Sequence, residues 1–279
     1  MTLESTHTIV NAAAAARRGA GAFNVIQIEL AEALTAGAAD AKAPVILQIS
    51  ENAVKYHGSL EPIALATLAI ARASQFPVAV HLDHAESVEL IHEAVDLGFT
   101  SVMFDGSTLD YDANVALTAE LAAYCHERGV GIEAELGEVG GKDGVHAPGV
   151  RTNPQEAAAF VAATGVDALA VAVGSSHAMT SRDAVLDLEL ISEIRDAVPV
   201  PLVLHGSSGV ADENLTKAVE AGMTKVNIST HLNHAFTDTV REVLAANPEM
   251  VDTRKYLGAG RDAVRAEVTR LLGVLLAAN

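Results

Sequence analysis

The sequence is poor in cysteine, in basic residues and in long apolar runs, and each shortage excludes a class of protein. Its 279 residues include one cysteine, Cys125, so no disulfide framework exists and a reducing cytoplasm is expected. Eighteen lysines and arginines stand against 36 aspartates and glutamates, and the formal net charge of −18 argues against nucleic acid or an anionic membrane surface as partner. No apolar run of roughly 18 residues lacks polar interruption, and residues 1–10 lack a secretory signal pattern. We therefore expect a cytoplasmic domain of enzyme size that acts on a small molecule.

What the sequence does contain is an alternation of short apolar runs with helix-periodic segments. The apolar runs predict strands at 22–26, 44–50, 78–84, 101–105, 131–136, 168–173, 202–205 and 225–228. The segments between them predict helices at 29–41, 60–74, 86–96, 112–128, 154–163, 187–197, 212–221 and 231–245. Eight strand-then-helix units predict an α/β fold, a closed (β/α)8 TIM barrel formed by residues 1–279 as one domain. Residues 250–279 are expected to add a C-terminal helical extension, with a helix near 261–276. A doubly wound sheet is the alternative, and it is weakened because no Gly-x-Gly-x-x-Gly follows the first strand.

Histidines follow three of the predicted strands. The third strand ends on Asp83-His84, the sixth leads into His177, and the seventh ends on His205. A single histidine at a strand end is more often a hydrogen-bonded loop residue, but strand ends converge on one mouth of a barrel. Three imidazoles with one open position are typical of a catalytic zinc site, and Asp83 beside them is the expected proton-transfer group. His81, two residues before Asp83, is expected to pack into the barrel or to support the site from behind.

Four short motifs make the family recognisable. They are His81-Leu82-Asp83-His84, Asp105-Gly106-Ser107, Glu133-Ala134-Glu135-Leu136-Gly137 followed by Gly140-Gly141, and Leu204-His205-Gly206. With them the chain resembles the class II, metal-dependent ketose-bisphosphate aldolases, which include fructose- and tagatose-bisphosphate aldolases. The resemblance runs from about Phe23 to residues 254–258. It implies a (β/α)8 barrel that forms a homodimer or homotetramer and uses Zn²⁺ as its catalytic metal.

The resemblance also implies roles for individual residues. The implied metal ligands are His84, His177 and His205, with Asp105 and Glu135 at a second or alternative divalent position. Asp83 matches the acid/base that handles the C4 hydroxyl of the ketose. Ser50 matches a position near the phosphate of the aldehyde half. The other implied substrate-binding positions are Asn24, Ala178, Gly206, Ser207, Ser208, Asn227, Ile228, Ser229 and Thr230.

Three residues depart from the family pattern. Asp143 lies where the family has a glutamate on the loop after the paired glycines, the residue implied to move the second proton, and it is shorter by one methylene. Ala178 follows His177 where the family has a glycine, and Ser207 replaces a second glycine after His205. Both lie near the implied site for a phosphate and a monovalent cation, Na⁺ or K⁺. These departures bear on substrate fit and cation dependence, while the metal chemistry should survive them.

The resulting hypothesis is a zinc-dependent lyase that reversibly cleaves fructose 1,6-bisphosphate into dihydroxyacetone phosphate and an aldehyde phosphate. Tagatose 1,6-bisphosphate and a deoxy-ketogluconate phosphate are the alternative substrates. A Schiff-base aldolase requires a lysine at a carboxyl strand end, whereas Lys225 lies at the start of the predicted eighth strand. A non-catalytic sugar-phosphate-binding subunit is disfavoured because binding alone does not require Asp83.

Overall fold

The centre of the molecule is a barrel of parallel strands. The computed structural model describes residues 2–136, 151–175 and 181–278. The strands are β1 (Ala20–Asn24), β2 (Val45–Ser50), β3 (Val78–Ala85), β4 (Ser101–Phe104), β5 (Gly131–Glu135), β6 (Ala168–Ala170), β7 (Leu202–Leu204) and β8 (Met223–Ile228). Each strand pairs in parallel with the next, and β8 pairs with β1, which closes the sheet. The predicted (β/α)8 barrel is confirmed, and the doubly wound alternative is wrong.

Helices surround this barrel. Those of the described ranges are α1 (Thr6–Ala15), α2 (Ile28–Ala41), α3 (Glu51–His57), α4 (Glu61–Ala73), α5 (Val88–Leu97), α6 (Tyr111–His126), α7 (Pro154–Thr164), α8 (Leu188–Ala197), α9 (Asp212–Ala221), α10 (Thr230–Ala246) and α11 (Thr253–Leu276). A short 3-10 helix, Ser207–Gly209, follows β7. Among these helices, none combines the length and the apolarity needed to cross a bilayer.

Two helices were not predicted, and one is longer than predicted. The short helix α3 begins directly after β2, where the Ser50 hydroxyl accepts the N–H of Ala53. The other unpredicted helix is α1. The last helix, α11, begins at Thr253 rather than near residue 261, because Asp252 caps it by accepting the N–H of Arg254. Its first two turns, residues 253–259, contain no buried residue, so they lack the apolar periodicity on which the prediction depended.

The first strand also begins earlier than predicted, at Ala20 rather than at residue 22. Gly21 interrupts the apolar run in the sequence, but it is part of the strand. A Cβ atom at Gly21 would lie 2.7 Å from the Phe23 ring and 2.9 Å from Leu272 of α11. The glycine therefore lets the last helix pack closely against the barrel.

The amino end of the barrel is closed by α1. Ile9 and Val10 of this helix pack on a small apolar layer formed by Ala20, Ala22, Ile46 and Ala79 at the bottom of the lumen. In β3, residues alternate between the two faces of the sheet, so Val80 and Leu82 join the core under the helices while His81 and Asp83 point into the lumen. The carboxyl end is thus the end at which polar side chains meet an open cavity.

Candidate active site

A polar cavity of about 200 Å³ lies at the carboxyl ends of the strands. The sequence-predicted residues that line it are Asn24, Ser50, Asp83, His84, His205, Gly206, Ser208, Asn227, Ser229 and Thr230. Gln48 and Asn52 also line it and were not predicted. Gln48 could have been noticed as the one amide inside the otherwise apolar run of β2, because a buried polar side chain in such a run needs a partner.

His84 is held in an unusual backbone conformation. Its φ of +48° lies in the left-handed region, and the pairing of β3 with β4 shifts register between Leu82 and Ala85. For a residue other than glycine this conformation costs about 1–2 kcal/mol, and such strain is concentrated at functional sites. The turn brings His84 Nδ1 to 2.8 Å from Asp105 Oδ2. Burial lowers the pKa of His84, but the Asp83 and Asp105 carboxylates outweigh it and raise the pKa to about 9.

His205 follows β7 and lies next to His84. The centroids of the two rings are 4.6 Å apart in an edge-to-face arrangement. His205 Nε2 lies 2.9 Å from Glu133 Oε1, and because a carboxylate only accepts, this nitrogen donates. Burial and the charge of His84 lower the pKa of His205. Each histidine thus gives one ring N–H to a carboxylate, which is the usual arrangement of metal-ligating histidines.

Among the described residues, two groups of side chains could hold a metal ion, and they share His84. One group is Asp83, His84 and His205, and the other is His84, Asp105 and Glu135. Within each group the candidate ligand atoms lie within 4.8 Å of one another. The structure therefore brings together four of the five predicted metal residues. The fifth, His177, lies outside the described residues.

Asp83 is fixed by three amides. Its Oδ2 accepts from Asn24 Nδ2 at 3.3 Å and from Gln48 Nε2 at 3.2 Å, and its Oδ1 accepts from Asn227 Nδ2 at 3.3 Å. Burial raises the pKa of Asp83, but the charges of His84 and His205 outweigh it and the pKa falls below its usual value. The site therefore holds an ionised, oriented carboxylate beside two imidazoles.

The residues present fit a cation. Three buried oxygens near the two histidines have no hydrogen-bond partner among the described residues: Glu135 Oε2, Gln48 Oε1 and Asn227 Oδ1. The two amide oxygens only accept, as does Glu135 when it is ionised, so a cation or a donor would satisfy all three. Burial and the Asp105 charge outweigh the nearby His84 and raise the pKa of Glu135 to about 8, so this carboxyl lacks sufficient compensating positive charge.

Two predicted substrate-binding side chains do not line the cavity. Ser207 is buried and donates to the carbonyl oxygen of Leu204, and Ile228 belongs to the apolar core. Ser208, which does line the cavity, accepts hydrogen bonds from the backbone N–H groups of Ser229 and His231, each at 3.2 Å. These bonds connect the segments that follow β7 and β8. Asp143 and Ala178 lie outside the described residues.

Beneath the two histidines lies a buried ion pair that sequence reasoning did not find. Lys225 Nζ lies 2.7 Å from Glu133 Oε2, and neither side chain is accessible from the cavity. Lys225 is the third residue of β8, rather than the first as predicted. Lys225 does not line the cavity and is held by Glu133 beneath it, so it is not placed to attack a substrate there as a Schiff-base lysine would.

Comparison with known proteins places this site in a family. Residues 4–279 match the family described as fructose-bisphosphate aldolase class-II. A fructose-bisphosphate aldolase from Geobacillus stearothermophilus is 40% identical over 272 residues, which cover 96% of this chain and 95% of that protein. One from Giardia intestinalis is 39% identical and covers 88% of this chain and 84% of the relative. The crystal structure of the YdjI aldolase from Escherichia coli K12 superposes with a TM-score of 0.88 at 31% identity, over 99% of this chain and 98% of that one. The chain therefore belongs to the class II fructose-bisphosphate aldolase family, a family of metal-dependent lyases.

Proposed function

We propose that this chain is a zinc-dependent aldolase that reversibly cleaves fructose 1,6-bisphosphate into dihydroxyacetone phosphate and an aldehyde phosphate. One observation carries the proposal: an ionised carboxylate, Asp83, lies with His84 and His205 so that their candidate ligand atoms fall within 4.8 Å. The names of the two curated relatives support the choice of substrate. A binding protein would not need a buried base held by three amides.

His84, His205 and His177 are the residues that would hold the zinc ion. A set of three histidines with an open position suits zinc, and the carboxylate partners of His84 and His205 would hold each ring in the required orientation. When bound, the ion supplies Lewis-acid stabilisation of negative charge at the ketone end of the substrate. Asp105 and Glu135 would form a second divalent position, and a monovalent cation would bind near Ala178 and Ser207.

Asp83 is the proton-transfer residue of this proposal. Its carboxylate accepts the proton of the C4 hydroxyl, the C3–C4 bond breaks, and C4 becomes the aldehyde carbon. The electron pair of the broken bond stays with C3, which then requires a proton. Asp143 is the group proposed to deliver it. The amides of Asn24, Gln48 and Asn227 direct the Asp83 oxygens and limit their rotation, which lowers the entropy cost of proton transfer.

The hydroxyl groups around the cavity suit a substrate with two phosphates. Ser50 lies on one side, as the last residue of β2, and Ser208, Ser229 and Thr230 lie on the other, after β7 and β8. The loops after the last two strands are the usual phosphate site of this barrel. Gly206 has a φ of +68°, which leaves its backbone close to the cavity without a side chain. Ser207 and Ile228 would contribute backbone groups only.

Three further properties belong to the same proposal, of which the assembly alone comes from the family resemblance. Residues 1–279 form one domain with 250–279 as its helical extension, the chain assembles as a homodimer or homotetramer, and the enzyme acts in the cytoplasm. Sedimentation equilibrium tests the assembly. The acidic composition supports the absence of nucleic-acid and membrane partners.

A coupled cleavage assay tests the function. The purified enzyme is offered fructose 1,6-bisphosphate, tagatose 1,6-bisphosphate and a deoxy-ketogluconate phosphate, with and without a chelator. We expect fructose 1,6-bisphosphate to give the highest kcat/KM, the chelator to abolish cleavage, and added Zn²⁺ to restore it. Cleavage that survives metal removal would disprove the metal-dependent mechanism, and a preference for another sugar would replace the proposed substrate.

A further inference from the structure

A continuous series of hydrogen bonds runs through the barrel from His205 to the helix that closes its other end. Glu133 accepts from His205 Nε2 at 2.9 Å and from Lys225 Nζ at 2.7 Å, using different oxygens. Lys225 Nζ also lies 3.3 Å from His81 Nε2, and His81 Nδ1 lies 2.6 Å from Ser101 Oγ. We call Thr6, Ser101, His81, Lys225 and Glu133 the axial chain.

The axial chain continues into α1. Ser101 Oγ donates to Thr6 Oγ1 at 2.6 Å, and Thr6 is the first residue of α1. Thr6 Oγ1 lies 3.1 Å from Thr100 Oγ1, which in turn donates to the carbonyl oxygen of Val80 at 2.9 Å. The series therefore ends on the backbone of β3, the strand that carries Asp83 and His84.

Every donor in this series has a determined direction. Thr100 gives its proton to Val80, so Thr6 must donate to Thr100, and Ser101 must donate to Thr6. The ammonium of Lys225 can only donate, so His81 Nε2 accepts and His81 Nδ1 donates to Ser101. Burial and the Lys225 ammonium lower the pKa of His81 to about 3, in keeping with a neutral ring that has one donor and one acceptor. A series in which each bond allows one direction holds each side chain in one rotamer.

The axial chain is shielded from bulk solvent. Its side chains are all buried, with Thr6 the most accessible at 7%. The cavity between α1 and these side chains is about 20 Å³, roughly the room for a single water. Replacing a hydroxyl by a methyl group of the same size creates no further space, so at most one water could take over a lost bond. The neighbouring side chains must absorb the rest of the change.

We propose that Thr6, Ser101, His81 and Lys225 are positioning residues for the metal ligand His205, so that the helix closing the amino end of the barrel is coupled to metal affinity at the carboxyl end. The proposal rests on the proposed role of His205. The route is physical: the ammonium and the neutral imidazole fix the Glu133 carboxylate, and this carboxylate fixes the His205 ring. If Thr6 loses its hydroxyl, Ser101 loses its acceptor and can rotate. The bonds from His81 to Ser101 and from Lys225 to His81 then lose their alignment, and Glu133 is held less firmly against His205.

The substitution that tests this is Thr6→Val, which removes the hydroxyl and keeps the shape. We expect the metal-free variant to bind Zn²⁺ roughly 10-fold more weakly than the wild type in a chelator competition, the lower end of the effect known for outer partners of metal ligands. The visible spectrum of bound Co²⁺ should change in the same variant. Thr6→Ser restores the hydroxyl and should return both readings to those of the wild type.

Thr164→Val is the matched control. Thr164 is also buried and hydrogen-bonded, to the carbonyl oxygen of Phe160, but it lies at the end of α7 outside the axial chain. It should lower the thermal midpoint of the metal-free protein while leaving the Zn²⁺ affinity and the Co²⁺ spectrum unchanged. If Thr6→Val does not fold, Ser101→Ala breaks the same series one bond further on and is measured in the same way.

The outcomes separate this inference from the proposed function. Wild-type affinity and an unchanged Co²⁺ spectrum in both Thr6→Val and Ser101→Ala would overturn the coupling, as would an equal loss of affinity in Thr164→Val. If the wild type binds no stoichiometric metal, or if His205→Ala binds it as tightly as the wild type, the proposed metal site fails and the coupling fails with it.

Discussion

The barrel encloses two polar regions that differ in how completely their side chains are hydrogen-bonded. In the lower region, both oxygens of Glu133 have donors, and Lys225, His81 and Ser101 each have at least one partner. In the upper region, Gln48, Glu135 and Asn227 each bury an oxygen that has no hydrogen-bond partner among the described residues. The two regions lie in one lumen and are joined at Glu133 and His205.

The difference shows which polar groups serve the fold and which serve a ligand. Buried polar groups in native proteins are nearly always paired, so an unpaired group calls for an explanation. The lower region needs none, because its charges and hydrogen bonds balance within the chain. The upper region has a surplus of acceptors around Asp83 and His84, and a bound cation with its substrate would supply what it lacks. We expect substitutions in the upper region to act first on catalysis and metal binding, and those in the lower region to act first on stability and, through Glu133 and His205, on metal affinity.

The largest effect is expected at Asp83. Asp83→Ala should reduce kcat roughly a hundred- to ten-thousand-fold, because it removes the group that accepts the C4 hydroxyl proton. Zn²⁺ stoichiometry, measured after dialysis, should stay that of the wild type. Asp83→Asn keeps the shape without the base and should lose activity to a similar degree. If either variant stays fully active, the proton-transfer role is wrong, and a loss of metal would make Asp83 a ligand instead.

The lower region should respond to Lys225→Met with a loss of stability. Removing the ammonium leaves Glu133 as a buried, uncompensated carboxylate, and breaking a buried pair in this way typically costs about 3–5 kcal/mol. Denaturant unfolding of the metal-free protein measures it. Lys217→Met is the matched control, since Lys217 pairs with Glu213 on the surface at 2.6 Å, and we expect little change there. Equal effects of the two substitutions would contradict the structural role of the lower region.

The sequence was sufficient for the barrel because hydrophobic periodicity is a local property. Apolar runs such as that of β2 are readable without knowing their neighbours, and the eight strands and the helices that follow them were placed to within a few residues. α1 was missed because its apolar residues, Ile9 and Val10, have meaning only against a layer of β1, β2 and β3 that they cover. The packed face, Thr6, Ile9, Val10 and Ala13, has helical spacing, but Thr6 and Ala13 are not strongly apolar, so the pattern is weak in the sequence.

The upper region was likewise more predictable than the lower one. Asp83, His84 and His205 stand at strand ends, and the convergence of such ends is a rule of the fold. The role of Glu133 and its pairing with Lys225 depend on which residues of β5 and β8 face each other across the lumen. The two are 92 positions apart in the chain, and no spacing rule connects them. Of the two amides that donate to Asp83 from β2 and β8, Asn227 was predicted and Gln48 was not, again because their contacts cross the lumen.

The last prediction concerns Glu135 in the upper region. Unlike the loss of stability expected for Lys225→Met, Glu135→Gln should stabilise the metal-free protein. The pKa of Glu135 is about 8 in the folded chain, against about 4.3 for an unfolded glutamate. Between these values the folded state keeps a proton that the unfolded state has released, so wild-type stability falls as the pH rises through this window. Glu135→Gln removes that dependence and should be more stable by at most about 3–4 kcal/mol at pH 7, with a gain that grows from about pH 4.3 to about pH 8.

Denaturant unfolding at several pH values, in the presence of a chelator, measures this gain. Glu156→Gln is the matched control, because Glu156 of α7 also has a buried oxygen without a partner among the described residues but lies outside the metal cluster. If Glu135→Gln is less stable than the wild type at pH 8, or if the difference in their unfolding free energies does not vary with pH, the Glu135 carboxylate is already stabilised by other groups of the chain. The same variant should bind a second divalent ion more weakly, because Gln is a poorer ligand than a carboxylate. Greater stability together with weaker divalent-ion binding would show that Glu135 binds the ligand at a cost to folding stability. That would distinguish the upper region from the lower region, whose polar groups are paired within the chain.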